Sequence, residues 1–239
     1  MKLKRVTSFV IILVLPYMIG CKKINEGIKL DNGTTKYGIT KEKESYEIKK
    51  KEEKITYEDQ EAFINYDQSI DSISLNQYEK VTVLEKEKGK YLIETNDYEN
   101  IYIDENSITL LPDDYIEVDI EDQSLKLYQD NDEVLSSDIV SGKNQSPTDL
   151  GYYQIEYKDT NVTLKGSNSD GSSYESFVSY WMPFNLNTGE GLHDATWRDS
   201  FGGDIYEYEG SHGCVNMPYD NAEELYNNIE TGTKVLIHK

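Results

Sequence analysis

The sequence has little positive charge, little cysteine, little phenylalanine and no long apolar run. Lysine and arginine number 24 against 45 aspartates and glutamates, a formal charge of −21. Without the three cations of residues 1–20, which contain no acid, the remainder stands at −24. Such a surface repels phosphate backbones and argues against DNA or RNA binding. The one markedly apolar stretch, Val6 to Ile19, is too short for a comfortable permanent membrane span. Five phenylalanines stand against twenty tyrosines, and tyrosine suits half-buried strand positions with one wet edge. What is present is a 239-residue chain with 37% hydrophobic residues, enough for one large domain or two small ones.

The first twenty residues read as an export signal. Lys2, Lys4 and Arg5 precede the apolar run, as in a signal's charged and hydrophobic regions. Met18-Ile19-Gly20-Cys21 resembles a bacterial lipoprotein signal, in which a small residue precedes a cysteine that becomes lipidated, although Met18 stands where leucine is usual. Cys21 is thus the expected lipidation site, the alternative being an uncleaved or ordinarily cleaved signal. More than one acyl chain is what stable anchoring requires. The only other cysteine is Cys214. If Cys21 carries lipid, Cys214 is an unpaired thiol in an extracytoplasmic protein, and that needs a chemical explanation.

Residues 21–60 are rich in Lys, Glu, Asn and Thr and read as a solvated tether, with transient helicity available through Glu47 and Lys51. Residues 61–112 hold short alternating segments at Val81 to Leu84, Tyr91 to Glu94, Ile101 to Ile103 and Ser107 to Leu110, separated by polar turns such as Glu87-Lys88-Gly89. This predicts a small antiparallel barrel. The order resembles a bacterial Src-homology-3-like domain; the alternative is a β extension packed on the next domain. Residues 113–239 begin with alternating strands at Tyr115 to Ile120 and Leu125 to Tyr128. One helix is expected after Pro218, with an Asp220-x-x-Glu223 capping box and a stripe of Ala222, Leu225, Tyr226 and Ile229. Gly232 ends it, and Lys234 to His238 reads as a closing strand, with His238 at the surface.

The chemistry gathers around Ser211-His212-Gly213-Cys214-Val215-Asn216. A cysteine must ionise to attack a carbonyl, and an unperturbed thiol is only a few per cent ionised at neutral pH. Two of the three histidines, His193 and His212, lie close to it in sequence. Gly213 removes a side chain beside the thiol and lets backbone N–H groups approach an oxyanion.

This stretch resembles the catalytic motif of the L,D-transpeptidases: a histidine, a spacer, then Ser/Thr-His-Gly-Cys, a hydrophobic residue and Arg or Asn. The spacer from His193 to Ser211 is seventeen residues, 194–210. Tyr180-Trp181-Met182-Pro183-Phe184, Gly191-Leu192-His193-Asp194, Phe201-Gly202-Gly203 and Asn216-Met217-Pro218 are similar to family members as well. So is Ser146-Pro147-Thr148-x-x-Gly151, although the family usually has proline where this chain has Asp149.

The resemblance implies a mostly β sandwich with a short helix and an active site in a tunnel under a flap, for which the residues around 166–173 are the natural place. It implies Cys214 as nucleophile and His193 as base, with the backbone carbonyl of Asp194, not its carboxylate, orienting the imidazole. His212 supports the site's geometry or takes a direct part. Gly213 and Cys214 N–H groups would form the oxyanion hole, with Ser211 in the catalytic turn and Tyr180, Trp181 and Asn216 at the substrate. No metal or cofactor is implied. The substrates implied are peptidoglycan stem peptides, joined third residue to third residue; water as acceptor would give an L,D-carboxypeptidase, and a D-amino acid an exchange reaction. A non-enzymatic reading, a wall-binding lipoprotein with a degenerate catalytic domain, is opposed by the intact histidine, glycine and cysteine. Arg198, the only arginine beyond the signal, follows from the residues themselves: a guanidinium grips a substrate carboxylate with two parallel bonds. The alternative is an ion pair with Asp194, Asp199 or Asp204.

Overall fold

The computed structural model of the protein describes residues 54–167 and 171–239, and before them only the antiparallel pairing of β1 (Ile28–Lys29) with β2 (Thr35–Lys36). The signal over 1–20, the lipidation of Cys21 and the Glu47/Lys51 helix tendency lie outside the described residues.

Within the compact unit of residues 51–239, the N-terminal part is an antiparallel sheet. It contains β3 (Ile55–Ile64), a small hairpin of β4 (Gln68–Ile70) and β5 (Ile73–Leu75), then β6 (Lys80–Glu87), β7 (Lys90–Glu94), β8 (Ile101–Asp104) and β9 (Ile108–Leu110). The five-stranded order is β8-β7-β6-β3-β9. Alternation places Val81, Val83, Tyr91, Ile93, Ile101 and Ile103 on one buried face. Lys88 and Gly89 both take positive φ, 54° and 74°, which is the two-residue turn that suits the twist of a hairpin. Strand β3 starts at Ile55, within the stretch read as tether. Its middle, Glu58-Asp59-Gln60-Glu61, is polar and its register with β6 shifts between Thr56 and Gln60, so no clean alternation marks it.

The C-terminal part packs two sheets face to face. The first comprises β10 (Tyr115–Asp119), β11 (Ser124–Gln129), β12 (Asp132–Asp138), β13 (Gly151–Gln154) and, from the far end of the chain, β18 (Lys234–His238), in the order β12-β11-β10-β18-β13. The second is β14 (Asp159–Ser167), β15 (Ser173–Asn185), β16 (Glu190–Asp194) and β17 (Val215–Met217), in that order. Two short helices, α1 (Ile205–Glu209) and α2 (Tyr219–Asn228), complete it. Ile116, Val118, Leu127, Met182, Leu192 and Val235 are among the buried residues between the layers. The fold is mostly β, a two-layer sandwich with short helices, as expected.

Two features differ from expectation. The capping box does not form: Pro218 is the N-cap of α2, which has no side-chain cap, and Glu223 instead accepts from the Tyr180 hydroxyl at 2.5 Å. Asp220, inside the first turn, still favours the positive helix end. Ile229 lies just past the helix but is buried. His238 is not at the surface. Strand β18 is inserted in the sheet, between β10 and β13, and His238 is buried with Nε2 2.9 Å from Glu117 Oε1.

The N-terminal sheet meets the C-terminal part through Phe63, Leu111, Tyr115 and Leu236, which form a small apolar cluster. Beside it, Lys80 Nζ lies 2.9 Å from Glu117 Oε2 and 4.9 Å from the Tyr128 ring centroid. Burial alone would raise the Glu117 carboxyl, but the His238 hydrogen bond and the Lys80 charge outweigh it and hold it down at about 2.

Candidate active site

Cys214 sits in the turn between α1 and β17. The turn is tied by its own first residue: Ser211 Oγ accepts from the Gly213 N–H at 3.0 Å and donates to the Cys214 carbonyl at 2.5 Å. Gly213 has φ +123°, and a Cβ there would stand 2.5 Å from Glu190 Oε1, so only glycine fits the turn against β16. Thr148 Oγ1 donates to the Gly213 carbonyl at 2.8 Å and accepts from the Gly142 N–H at 2.9 Å. The Ser146-Pro147-Thr148 segment therefore buttresses the Cys214 turn. On the other side, Val140 and Asn216 exchange backbone hydrogen bonds of 2.9 Å. The Gly213 N–H, expected in the oxyanion hole, is already spent on Ser211, which leaves the Cys214 N–H as the candidate donor there.

His193 lies on β16, in parallel register with Asn216 of β17. It is buried, 3% exposed, between the rings of Trp181 and Trp197, each centroid 5.9 Å away. Its Nδ1 bonds the Asp194 carbonyl at 2.9 Å. The Asp194 carboxylate points elsewhere and accepts from the Ser179 and Tyr180 N–H groups at 2.7 and 2.8 Å. In this arrangement Nδ1 is the donor and Nε2 carries the basic lone pair. Burial pushes the imidazole below its ordinary range, the Arg198 charge adds to this, and Asp194 opposes it.

Cys214, Ser211, His193, His212, Arg198 and Asn216 share the wall of one cavity of about 340 Å³. The Cys214 Sγ contacts the Gly189 carbonyl at 3.8 Å. Burial pushes its thiol up to about 11, the neighbouring Glu190 carboxylate adding to the effect while a Gly191 backbone hydrogen bond opposes it. Both partners are thus held uncharged, thiol and neutral imidazole. His212 Nε2 lies 3.2 Å from Lys143 Nζ, and its ring stacks on Tyr174 at 4.8 Å. Tyr174, Ser176, Leu164 and Lys165 bring the β14–β15 hairpin over the cavity. Of the flap expected around 166–173, residues 168–170 lie outside the described residues.

Three residues expected at the substrate have other partners. Tyr180 turns to α2, where its ring packs on Tyr219 and Tyr226 and its hydroxyl meets Glu223. Trp181, on the opposite face of β15, is buried beneath His193 and bonds the Tyr157 hydroxyl through Nε1 at 3.2 Å. Neither lines the cavity. Strand alternation sends one to each face of β15, and both lie further along the strand than Tyr174 and Ser176, which line the cavity. Asn216 does line it but is 2% exposed. Its amide lies between the Nε2 of His193, an acceptor, and the guanidinium of Arg198. Satisfying both places its nitrogen 3.1 Å from His193 Nε2 and its oxygen 2.8 and 3.2 Å from Arg198 Nε and Nη2. Arg198 Nη2 also donates to the Glu209 carbonyl at 2.5 Å. No ion pair joins Arg198 to Asp194, Asp199 or Asp204.

Sequence reasoning missed Trp197, Tyr174, Glu190 and Lys143, which reach the site from loops and strand positions without a motif. Glu190 could have been found: it stands three residues before His193 in a strand, is 4% exposed, and accepts from Thr188 and Asn185 at 2.9 and 3.3 Å. It also takes the Asp149 N–H at 3.3 Å, a bond that the family's usual proline could not give. Among the described residues no group of His, Cys, Asp and Glu side chains is arranged to hold a metal ion.

The family model of the L,D-transpeptidase catalytic domain (YkuD) matches residues 113–237. Among solved structures, the catalytic domain of an Enterococcus faecium L,D-transpeptidase is 46% identical, covering 54% of this chain and 98% of its own, with a TM-score of 0.50. A Cys-to-Ser mutant of an E. faecium L,D-transpeptidase is 28% identical over 73% of this chain and 87% of its own, with a TM-score of 0.52. The avibactam carbamoyl enzyme of Ldtfm is 29% identical over 73% of this chain and 86% of its own, again with a TM-score of 0.52. No curated protein matches. With its thiol, its buried histidine and more than half of its length in agreement, the chain belongs to the YkuD-type L,D-transpeptidase catalytic-domain family.

Proposed function

We propose that this protein forms third-to-third cross-links between peptidoglycan stem peptides through a Cys214 thioester. The observation that carries the reading is the sharing of one cavity wall by the Cys214 thiol and a His193 whose donor nitrogen is already taken by the Asp194 carbonyl. Because burial disfavours both the thiolate and the imidazolium, the resting pair is neutral, and the proton moves as the sulfur attacks. His193 Nε2 takes the thiol proton while the sulfur bonds the carbonyl carbon of the third stem residue. The oxyanion faces the Cys214 N–H. Collapse breaks the bond to the terminal D-alanine, which leaves with the proton from His193. The side-chain amine of a neighbouring stem's third residue then attacks the thioester. It gives its proton to His193, which returns it to the departing sulfur.

The reading includes a lipid anchor at Cys21 and a position outside the cytoplasmic membrane facing the wall, with the N-terminal sheet as a Src-homology-3-like attachment module. The acceptor decides between cross-linking, carboxypeptidase action and D-amino-acid exchange. Purified protein incubated with disaccharide-tetrapeptides, with and without a D-amino acid, and read by mass spectrometry should yield dimers with loss of D-alanine. Tripeptides alone would assign water as the acceptor, and unchanged substrate would end the proposal.

A further inference from the structure

We propose that Arg198 is a positioning residue for the base: its guanidinium fixes the Asn216 amide, and the amide holds His193 as the neutral tautomer with its lone pair on Nε2. The inference rests on the proposed role of His193 as base. The three groups form one line of hydrogen bonds. Arg198 Nε and Nη2 donate to the Asn216 oxygen at 2.8 and 3.2 Å, and the Asn216 nitrogen donates to His193 Nε2 at 3.1 Å. At the far side of the ring Nδ1 donates to the Asp194 carbonyl at 2.9 Å.

The direction of the line is set by Arg198. A side-chain amide has a donor end and an acceptor end, so an unrestrained asparagine can turn to serve either an imidazole lone pair or an imidazolium N–H. Guanidinium only donates and does not lose its proton. The amide end beside it must therefore be the oxygen, which leaves the NH₂ group for His193. Protonating Nε2 would set N–H against N–H in a buried site, and the amide could not escape by flipping, since that would set its NH₂ group against Arg198. The lone pair that holds the Asn216 N–H is the one that takes the thiol proton, so the amide gives up this bond as Cys214 attacks. The imidazolium then formed, facing no acceptor at Asn216, is a willing donor to the leaving amine.

The groups around His193 are few. Asp194 on its own strand has turned its carboxylate to the Ser179 and Tyr180 N–H groups. Trp181 and Trp197, which do not titrate, flank the ring. Arg198 and Cys214 share the cavity with it, as do His212, Lys165 and Tyr174. Glu209 adds its backbone carbonyl to Arg198. This second bond of Nη2 aims the guanidinium at Asn216, and lysine has no matching fork.

Histidine-selective ¹⁵N labelling and ¹H–¹⁵N NMR of the ligand-free protein test the inference, with His193→Gln assigning the resonance. In the wild type, Nε2 should stay unprotonated to below the ordinary histidine range. In Arg198→Met the amide is free to turn, and the titration midpoint should rise by about one pH unit. Asn216→Asp puts an acceptor against Nε2 and should raise it further, which keeps the test alive if Arg198→Met misfolds. In an Asn216→Ala background, Arg198→Met should add little, because the path is gone. An unshifted midpoint in both single variants, or a full Arg198→Met shift without Asn216, would overturn the inference. So would an unshifted midpoint with a raised KM for tetrapeptide, which would assign Arg198 to the substrate. Because the spectra need no substrate, a protein inactive on tetrapeptides could still show the shifts, so the two failures are separable.

Discussion

Lys80 of the N-terminal sheet and Glu117 of the catalytic domain form an ion pair, 2.9 Å apart and mostly buried. Glu117 also accepts from His238 at 2.9 Å, so one carboxylate joins the first sheet, the opening strand of the catalytic domain and its closing strand. Its folded pKa, about 2, lies below the ordinary 4.5. The stability it contributes is therefore fully present above about pH 4.5 and is lost as pH falls towards 2. Glu117→Gln should cost about 2–3 kcal/mol near pH 7. Chemical denaturation from pH 7 to 2 should show wild type and variant converging as the acid end is approached.

The thiol and the imidazole give opposite pH signatures. Burial, with Glu190 adding, holds the Cys214 thiol up at about 11, so iodoacetamide labelling should climb roughly tenfold per unit from pH 7 to 9 without levelling. A plateau near pH 7 would mean a preformed thiolate–imidazolium pair. Burial, with Arg198 adding, lowers His193. The base is free above its pKa, so the acid limb of acylation should fall below pH 6.5. Glu190→Gln removes one of the causes that raise the thiol and should speed labelling at pH 8.

Cys214→Ala should abolish acyl-enzyme and cross-linked product while leaving the melting temperature within a few degrees of wild type. Mass spectrometry of the protein after exposure to tetrapeptide or a carbapenem reads the first, and calorimetry the second.

Gly213→Ala should be far more damaging than its one methyl suggests. The backbone lies at φ +123°, which alanine adopts only with strain, and the new Cβ would stand 2.5 Å from Glu190 Oε1, so the Glu190 side chain or the turn must shift. A displacement of about 1 Å at the nucleophile is expected to cost roughly 100-fold in acylation. Pairing it with Glu190→Ala, which clears the carboxylate, should restore part of the rate.

Cys21→Ala should release the protein from the membrane fraction or leave its signal unprocessed. A clickable palmitate analogue should label wild type only; an unlabelled wild type would favour ordinary secretion.

Much of this was legible in the chain. Alternation marked β6, β7, β8 and β11 because one face of each is the more buried; β10 is buried on both faces and alternates in sequence only because Glu117 is paired inside. The Ser211 to Asn216 motif named the turn that carries the thiol. What stayed hidden has physical causes. Strand β3 carries Glu58, Asp59 and Glu61 and breaks its register, so its pattern is blurred. The burial of His238 depends on where β18 enters the sheet. Tyr180 and Trp181 sit in a recognisable string, but which face each one meets is decided by α2 and by the tyrosine of a distant loop. Arg198 stood out as the lone arginine beyond the signal, yet its partner is an amide and not an acid, a choice set by the β16–β17 pairing.

Strand β18 runs parallel to β10 across the register Tyr115↔Lys234 to Asp119↔His238 and antiparallel to β13. The sheet is thus completed by a segment more than a hundred residues downstream of the strand it joins. A ribosome must release residue 238 before the sandwich can close. Until then β10 and β13 have no common neighbour, and the Cys214 turn has no finished layer behind it. The order of synthesis itself places the completion of this layer, and with it the backing of the Cys214 turn, at the end of translation.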